Sequence, residues 1–283
     1  MSWRLGIRHT SAYSYVENVV ASYNEVRITP LTTVGQVTID ARVEVAPPAR
    51  PVSYRDYWGT LVHAFDIHVP HRELVVVGSS IVETPLSHGP TDHHAISWAE
   101  LDDDAVGEAY FEYLAPTETT AADDGLDAIG ATLRKEASTP QEALELVGDW
   151  VRAALVYERG STSVSTAATD AWKNGRGVCQ DFVQLAIALL RTMGIPARYA
   201  SGYFHPQADA QIGDTVHGES HAWCEAWTGD WWPFDPTNAV AIGERHVLVA
   251  RGRDYRDVPP LKGIVSGAPS TTPAVSVELT RHA

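Results

Sequence analysis

Over the first hundred residues apolar and polar positions alternate in short runs. Val37-Thr38-Ile39-Asp40-Ala41-Arg42-Val43-Glu44-Val45 is the clearest, apolar at odd positions and mostly polar at even ones, which predicts a half-buried antiparallel strand. Segments 9–15, 23–29, 59–69 and 74–82 are also rich in Val, Ile, Tyr and Thr, and Pro, Gly, Asp and Asn separate them. Several strands with short connections predict a β-sandwich over residues 1–84. From 85 to 124 the pattern loosens into Pro, Gly, Asp and His, a candidate linker with one helical stretch near 105–114.

Beyond residue 124 the period changes. Thr139 is an N-cap, Pro140 fits the first helical position, and Leu144, Val147, Val151 and Leu155 then recur at spacings of three and four. A second helix is predicted from Cys179 to Met193, with Phe182, Leu185, Ala186, Leu189 and Leu190 at helical spacing and Gly194 and Pro196 just past its end. Strands follow at 197–203, 221–228, 231–235 and 274–280. Helices first and strands after predict an α+β domain over residues 125–283.

Composition narrows the function classes. The chain has 283 residues, 44% of them hydrophobic, enough for a substantial core. A formal charge of −15 opposes nucleic acid and anionic membrane surfaces as partners. No window approaches the ~20 apolar residues of a membrane span, the N-terminus lacks a signal-peptide core, and two cysteines suit a reducing compartment, so a cytoplasmic location is expected. The acidic runs at 102–104 and 123–124 read as solvated loops.

Of the two cysteines, Cys179 follows Asn174-Gly175-Arg176-Gly177-Val178 and stands where a helix begins. Amide N–H groups and the positive end of the helix dipole favour a thiolate there, and the same amides are candidate oxyanion donors. A lone cysteine before an apolar helix is also what a small buried residue looks like. The strand 221–227 adds the second group. Period two puts His221 and Trp223 on one face and Cys224 on the other. After a Gly-Asp turn, 231–238 reads as the partner strand of a hairpin, ending with Asp235 beside His221. An aspartate before proline is commonly a turn former, but it is also placed to orient an imidazole.

Three segments, 175–182, 190–203 and then Ser220-His221-Ala222-Trp223 with Phe234-Asp235-Pro236-Thr237, resemble the bacterial transglutaminase-like superfamily. Further matches, including His9-Thr10, Asn24-Glu25-Val26-Arg27, Asp56-Tyr57-Trp58-Gly59 and 252–263, are similar to the β-rich N-terminal region and the C-terminal stretch of one bacterial subgroup. The resemblance implies an α+β fold: a papain-like, transglutaminase-like core with the nucleophile helix packed on an antiparallel sheet, preceded by an all-β sandwich-like N-terminal domain. It implies Cys179 as nucleophile, His221 as general base and Asp235 as the third member. It also implies cleavage of a peptide or isopeptide amide through a thioester, in a peptide or protein substrate and without a cofactor.

Two other functions fit the same residues. An amine that captures the thioester would give cross-linking, although calcium-loop signatures are absent, and a non-catalytic binding module could keep the fold. A zinc site is disfavoured, because His217-Gly218-Glu219-Ser220-His221 misplaces the glutamate of the zinc-helix pattern and lies in a strand-like stretch. Trp223 and Tyr203 are candidates for the cleft wall, Asp254 a weaker one. Asp181 would oppose a thiolate at Cys179. His63, His68, His71, His93 and His94 are assigned no role.

Overall fold

The computed structural model describes residues 2–87, 89, 95–267 and 274–283; His93 and His94 lie outside the described residues. The first six strands are β1 (Trp3–Val19), β2 (Ala21–Val26), β3 (Val37–Ala46), β4 (Val52–Arg55), β5 (Leu61–Ile67) and β6 (His71–Thr84). Three short helices occupy part of the loosely patterned stretch: α1 (Trp98–Leu101), α2 (Asp104–Ala109) and α3 (Phe111–Leu114). Then come α4 (Asp124–Glu136), α5 (Pro140–Ala154), β7 (Val156–Tyr157), α6 (Ala168–Asn174), β8 (Arg176–Gly177) and α7 (Cys179–Thr192). The chain ends with β9 (Ala197–Phe204), β10 (Thr215–Gly218), β11 (His221–Trp227), β12 (Trp231–Phe234), β13 (His246–Gly252), β14 (Leu261–Ser266) and β15 (Ala274–Arg281).

The N-terminal strands form two antiparallel sheets, ordered β10-β15-β1-β6-β3 and β14-β2-β5-β4. Tyr15, Val19, Val26, Ile28, Phe65, Ile67, Leu74 and Val76, drawn from both sheets and the segment after β2, share one apolar cluster, as a sandwich requires. The strand pattern at 37–45 is only half realised. β3 is an edge strand, and a bulge between Thr38 and Asp40 shifts its register against β6. Val37 and Ile39 are therefore about half exposed, while Val43 and Val45 pack on the sandwich core.

The sandwich is not built from the N-terminal strands alone. β15 pairs with β1 from Leu5↔Arg281 to Ala12↔Ala274, and β14 pairs with β2 from Val26↔Leu261 to Ala21↔Ser266. The last two strands of the chain thus complete both sheets.

The third sheet, β12-β11-β9-β13, carries α7. α7 is buried on every side, with twelve of its fourteen residues inside, so it is a central helix and not an amphipathic cover. α4, α5 and α6 surround it. On α5 the Thr139 hydroxyl accepts from the Glu142 amide at 3.2 Å, a cap worth about 1 kcal/mol, and Pro140 occupies the first turn as anticipated. One apolar core joins α4, α5 and α7 to Cys224 and Ala226 of β11, and continues into Trp3, Leu5 and Ile7 of β1 and Val277 and Leu279 of β15.

Candidate active site

Cys179 is the first residue of α7, and the local sequence fixes where that helix begins. α6 ends at Gly175, whose φ of 67° closes the helix in the left-handed conformation that glycine adopts most readily. Arg176 and Gly177 then pair in parallel with β7. Asp181, at the third helical position, accepts from the Val178 amide at 2.7 Å and from the Thr162 hydroxyl at 2.6 Å. Gly177 is required here, because a Cβ on it would stand 2.6 Å from the Asp181 Cβ. The Asp181 carboxyl faces backwards into the protein, fully buried; burial raises its pKa against the lowering from Thr162 and Val178. It is a cap, and its opposition to a thiolate is correspondingly weakened.

His221 opens β11 and pairs with Gly202 of β9. A side chain at Gly202 would meet the Val247 carbonyl oxygen at 1.9 Å and the Trp223 ring at 2.9 Å, so glycine lets β9, β11 and β13 close up behind the imidazole. His221 Nε2 lies 2.8 Å from Asp235 Oδ2, and Cys179 lines the same cleft as the ring, close enough to act on its protonation. With Nε2–H donated to Asp235, Nδ1 is the nitrogen left for Cys179. Burial disfavours charge on His221, but the hydrogen bonds and charges of Asp235 and Cys179 outweigh it and raise its pKa to about 10.

Asp235 follows β12 directly, and its two oxygens do different work. Oδ1 accepts from the Thr237 amide at 2.8 Å and the Asn238 amide at 3.0 Å, which closes the Asp-Pro-Thr-Asn turn. Oδ2 accepts from His221 and from Asn238 Nδ2 at 2.9 Å. Burial works against the carboxylate, yet His221, His246 and Asn238 together hold its pKa well below the usual range.

Cys179 and His221 face an open cleft. Tyr157, Glu219 and Ser220 line it with them, and two hollows of about 320 and 330 Å³ extend from these residues. One runs towards Phe204, Pro206 and Asn238. The other runs under β1 and β14, past Tyr13, Tyr199 and Tyr255 to Leu261. Burial raises the phenol of Tyr255 to about 12 and lifts that of Tyr199 well above its ordinary value, so both are neutral donors.

The structure brings Cys179, His221 and Asp235 together and leaves the other sequence candidates out of the cleft. Trp223 is buried behind the imidazole with Leu31, Ala200, Ile242 and Leu248, its ring 6.4 Å from that of His221. Tyr203 is buried as well, its hydroxyl 3.0 Å from His9 Nδ1 and donating to the Ile28 carbonyl at 3.2 Å. Period two puts Trp223 on the His221 face and Tyr203 lies on the neighbouring strand, but residues such as Leu31, His9 and Ile28 pack against them and close them to solvent. Asp254 accepts from the Thr119 hydroxyl and the Arg256 amide, and caps a 3-10 turn. Cys224 is fully buried in the α7 core, and burial pushes its thiol far up.

Two neighbours of Asp235 escaped sequence reasoning. Asn238 sits in a turn-like stretch where an asparagine is unremarkable, and His246 is one histidine of twelve with no pattern around it. His221, Asp235 and His246 put three ligand-type atoms within 4.8 Å of one another. Only the His221–Asp235 contact in this group is a hydrogen bond, at 2.8 Å; His246 Nε2 stands 3.9 Å from the same carboxylate oxygen. His217 is on β10 and points to no zinc helix.

These elements define an α+β protein with a transglutaminase-like core. The model of the transglutaminase-like superfamily matches residues 127–236, an interval that contains Cys179, His221 and Asp235. That of the bacterial transglutaminase-like N-terminal region matches residues 5–83. An uncharacterized protein of Mycobacterium leprae is 46% identical over 281 residues, covering 99% of this chain and all of its own. Another, from Mycobacterium tuberculosis strain H37Rv, is 32% identical and covers 93% of this chain and 87% of its own. The chain belongs to the transglutaminase-like superfamily. In fold it is similar to a candidate cysteine protease from Cytophaga hutchinsonii, with a TM-score of 0.75 at 22% identity, over 100% of this chain and 98% of that one.

Proposed function

We propose that the protein cleaves an amide bond in a peptide or protein by way of a thioester on Cys179. The observation that carries this reading is the His221–Asp235 contact of 2.8 Å, with Cys179 beside the same imidazole in the lining of a cleft. His221 takes the thiol proton at Nδ1, and the thiolate attacks the amide carbonyl carbon. The first amides of α7, those of Cys179 and Gln180, have no partner within the helix and are candidates to hold the oxyanion. As the C–N bond breaks, the imidazolium returns its proton to the leaving amine. Water then gives a proton to His221 and attacks the thioester, releasing the acid and the thiol. Asp235 keeps the imidazole in the tautomer with a bare Nδ1 and stabilises the imidazolium between the steps.

The hydrolytic outcome is tested by incubating the purified chain with a cell lysate and a biotinylated primary amine, then analysing proteins by mass spectrometry. New termini or released amines that vanish with Cys179→Ala are the expected result. Amine incorporation dependent on Cys179 would replace hydrolysis with transamidation, and neither product would remove the enzymatic reading.

A further inference from the structure

We infer that His246 is a positioning residue for this reaction: a neutral imidazole whose Nε2–H is directed at the same Asp235 oxygen that receives His221, keeping that carboxylate ionised and aligned. The inference rests on the proposed roles of His221 and Asp235. It concerns a residue beyond position 236, where the match to the superfamily core ends.

His246 is the first residue of β13 and is completely buried. Its Nδ1 accepts from the Gly243 amide at 3.4 Å. A backbone amide always carries its proton, so the ring nitrogen facing it is bare, and the proton of a neutral ring is then on Nε2. Nε2 lies 3.9 Å from Asp235 Oδ2, the oxygen that also receives His221. That separation exceeds a hydrogen bond, so in the resting protein the contact is an N–H dipole aimed at a buried charge.

The ring cannot easily turn away. It stacks on Phe204 of β9, its register partner, with centroids 4.5 Å apart and planes 27° apart, and Trp223 of β11 meets it edge-on at 5.5 Å. Among the described residues, Asp235 at the end of β12 and His221 of β11, whose ring centre is 6.1 Å away, are titratable groups that face it. A protonated His246 would set an N–H against the Gly243 amide, which is why the neutral form is assigned.

The experiment compares His246→Gln with His246→Met in the full chain, since the two side chains are close in size and only glutamine offers a donor. Alkylation of Cys179 by iodoacetamide is followed as a function of pH, with thermal melts as a control on folding. In His246→Met the acid limb of the profile should move up by about one pH unit, about tenfold slower alkylation along that limb, and His246→Gln should restore it. Equal profiles for wild type and the folded methionine variant would overturn the inference. The underlying reading fails separately, by an unchanged profile in His221→Ala. Should the methionine variant not fold, the side-chain nitrogen shifts of histidine in ¹⁵N-labelled wild type decide: His246 protonated at Nε2 alone from pH 5 to 9 supports the assignment, and a proton on Nδ1 refutes it.

Discussion

At Asp235 one oxygen ties the backbone turn and the other accepts from the imidazole, so the contacts expected of a turn former and of an orienting acid are both made by this residue. Asp235→Asn should therefore leave the turn in place, because an asparagine oxygen still accepts the two amides, yet lower amide turnover about 10³- to 10⁴-fold by favouring the wrong tautomer. Turnover within tenfold of wild type would contradict the role. His221 makes a second prediction through linkage. Its folded pKa of about 10 lies above its ordinary 6.5, so the protonated ring stabilises the fold fully below about 6.5, and that contribution is lost as pH rises through about 10. Melting temperatures of wild type and His221→Ala should converge over that window; a gap independent of pH would count against the ion pair. Legibility at this scale followed the density of local pattern. Cys179 before an apolar helix and His221 on an alternating strand were visible, whereas His246, which follows the turn Gly243-Glu244-Arg245 at the start of β13, acquires its meaning only when β13 lies against β9.

The elements that carry the site are held by contacts that no periodicity displays. Glu225, two strand positions beyond Trp223, is buried between Arg198 at 2.7 Å and Arg251 at 2.7 Å, which tie β9 and β13 to β11. Burial works against its charge, but the two guanidiniums prevail and bring its pKa down to about 2. Glu225→Ala leaves both arginines uncompensated and should cost about 3–5 kcal/mol in urea unfolding; a loss under about 1 kcal/mol would show the cluster to be an exposed-type pair. α5, α7 and the β11–β12 hairpin could be read from caps, helical spacing and a Gly-Asp turn, because those signals are local. The faces of β3 could not, since a single bulge inverts which side chains meet the core. Nor could the burial of Trp223 and Tyr203, which is decided by residues such as Leu31 and His9 far away in sequence.

Across the whole molecule the two ends of the chain are woven together. β14 and β15 complete sheets begun by β2 and β1, and one wall of the cleft comes from Ser11, Tyr13, Leu261 and Val275. A fragment of residues 125–283 would leave β14 without its partner β2, strip β15 of β1 so that only β10 pairs with it, and uncover Val277 and Leu279. It should fail to give a cooperative melt, while the full chain unfolds in one transition; a fragment that folds alone would contradict this coupling. Pairings between segments over 200 residues apart leave no trace in local sequence, which is why the sandwich was legible and its closure was not. The whole chain also offers only two thiols, one in the cleft and one under α7. Intact-mass and peptide mapping after brief iodoacetamide treatment at pH 6 test the central claim most directly. The expected result is one adduct, on Cys179, that forms much more slowly in His221→Ala, with Cys224 untouched; an inert Cys179, or equal labelling of both cysteines, would contradict it.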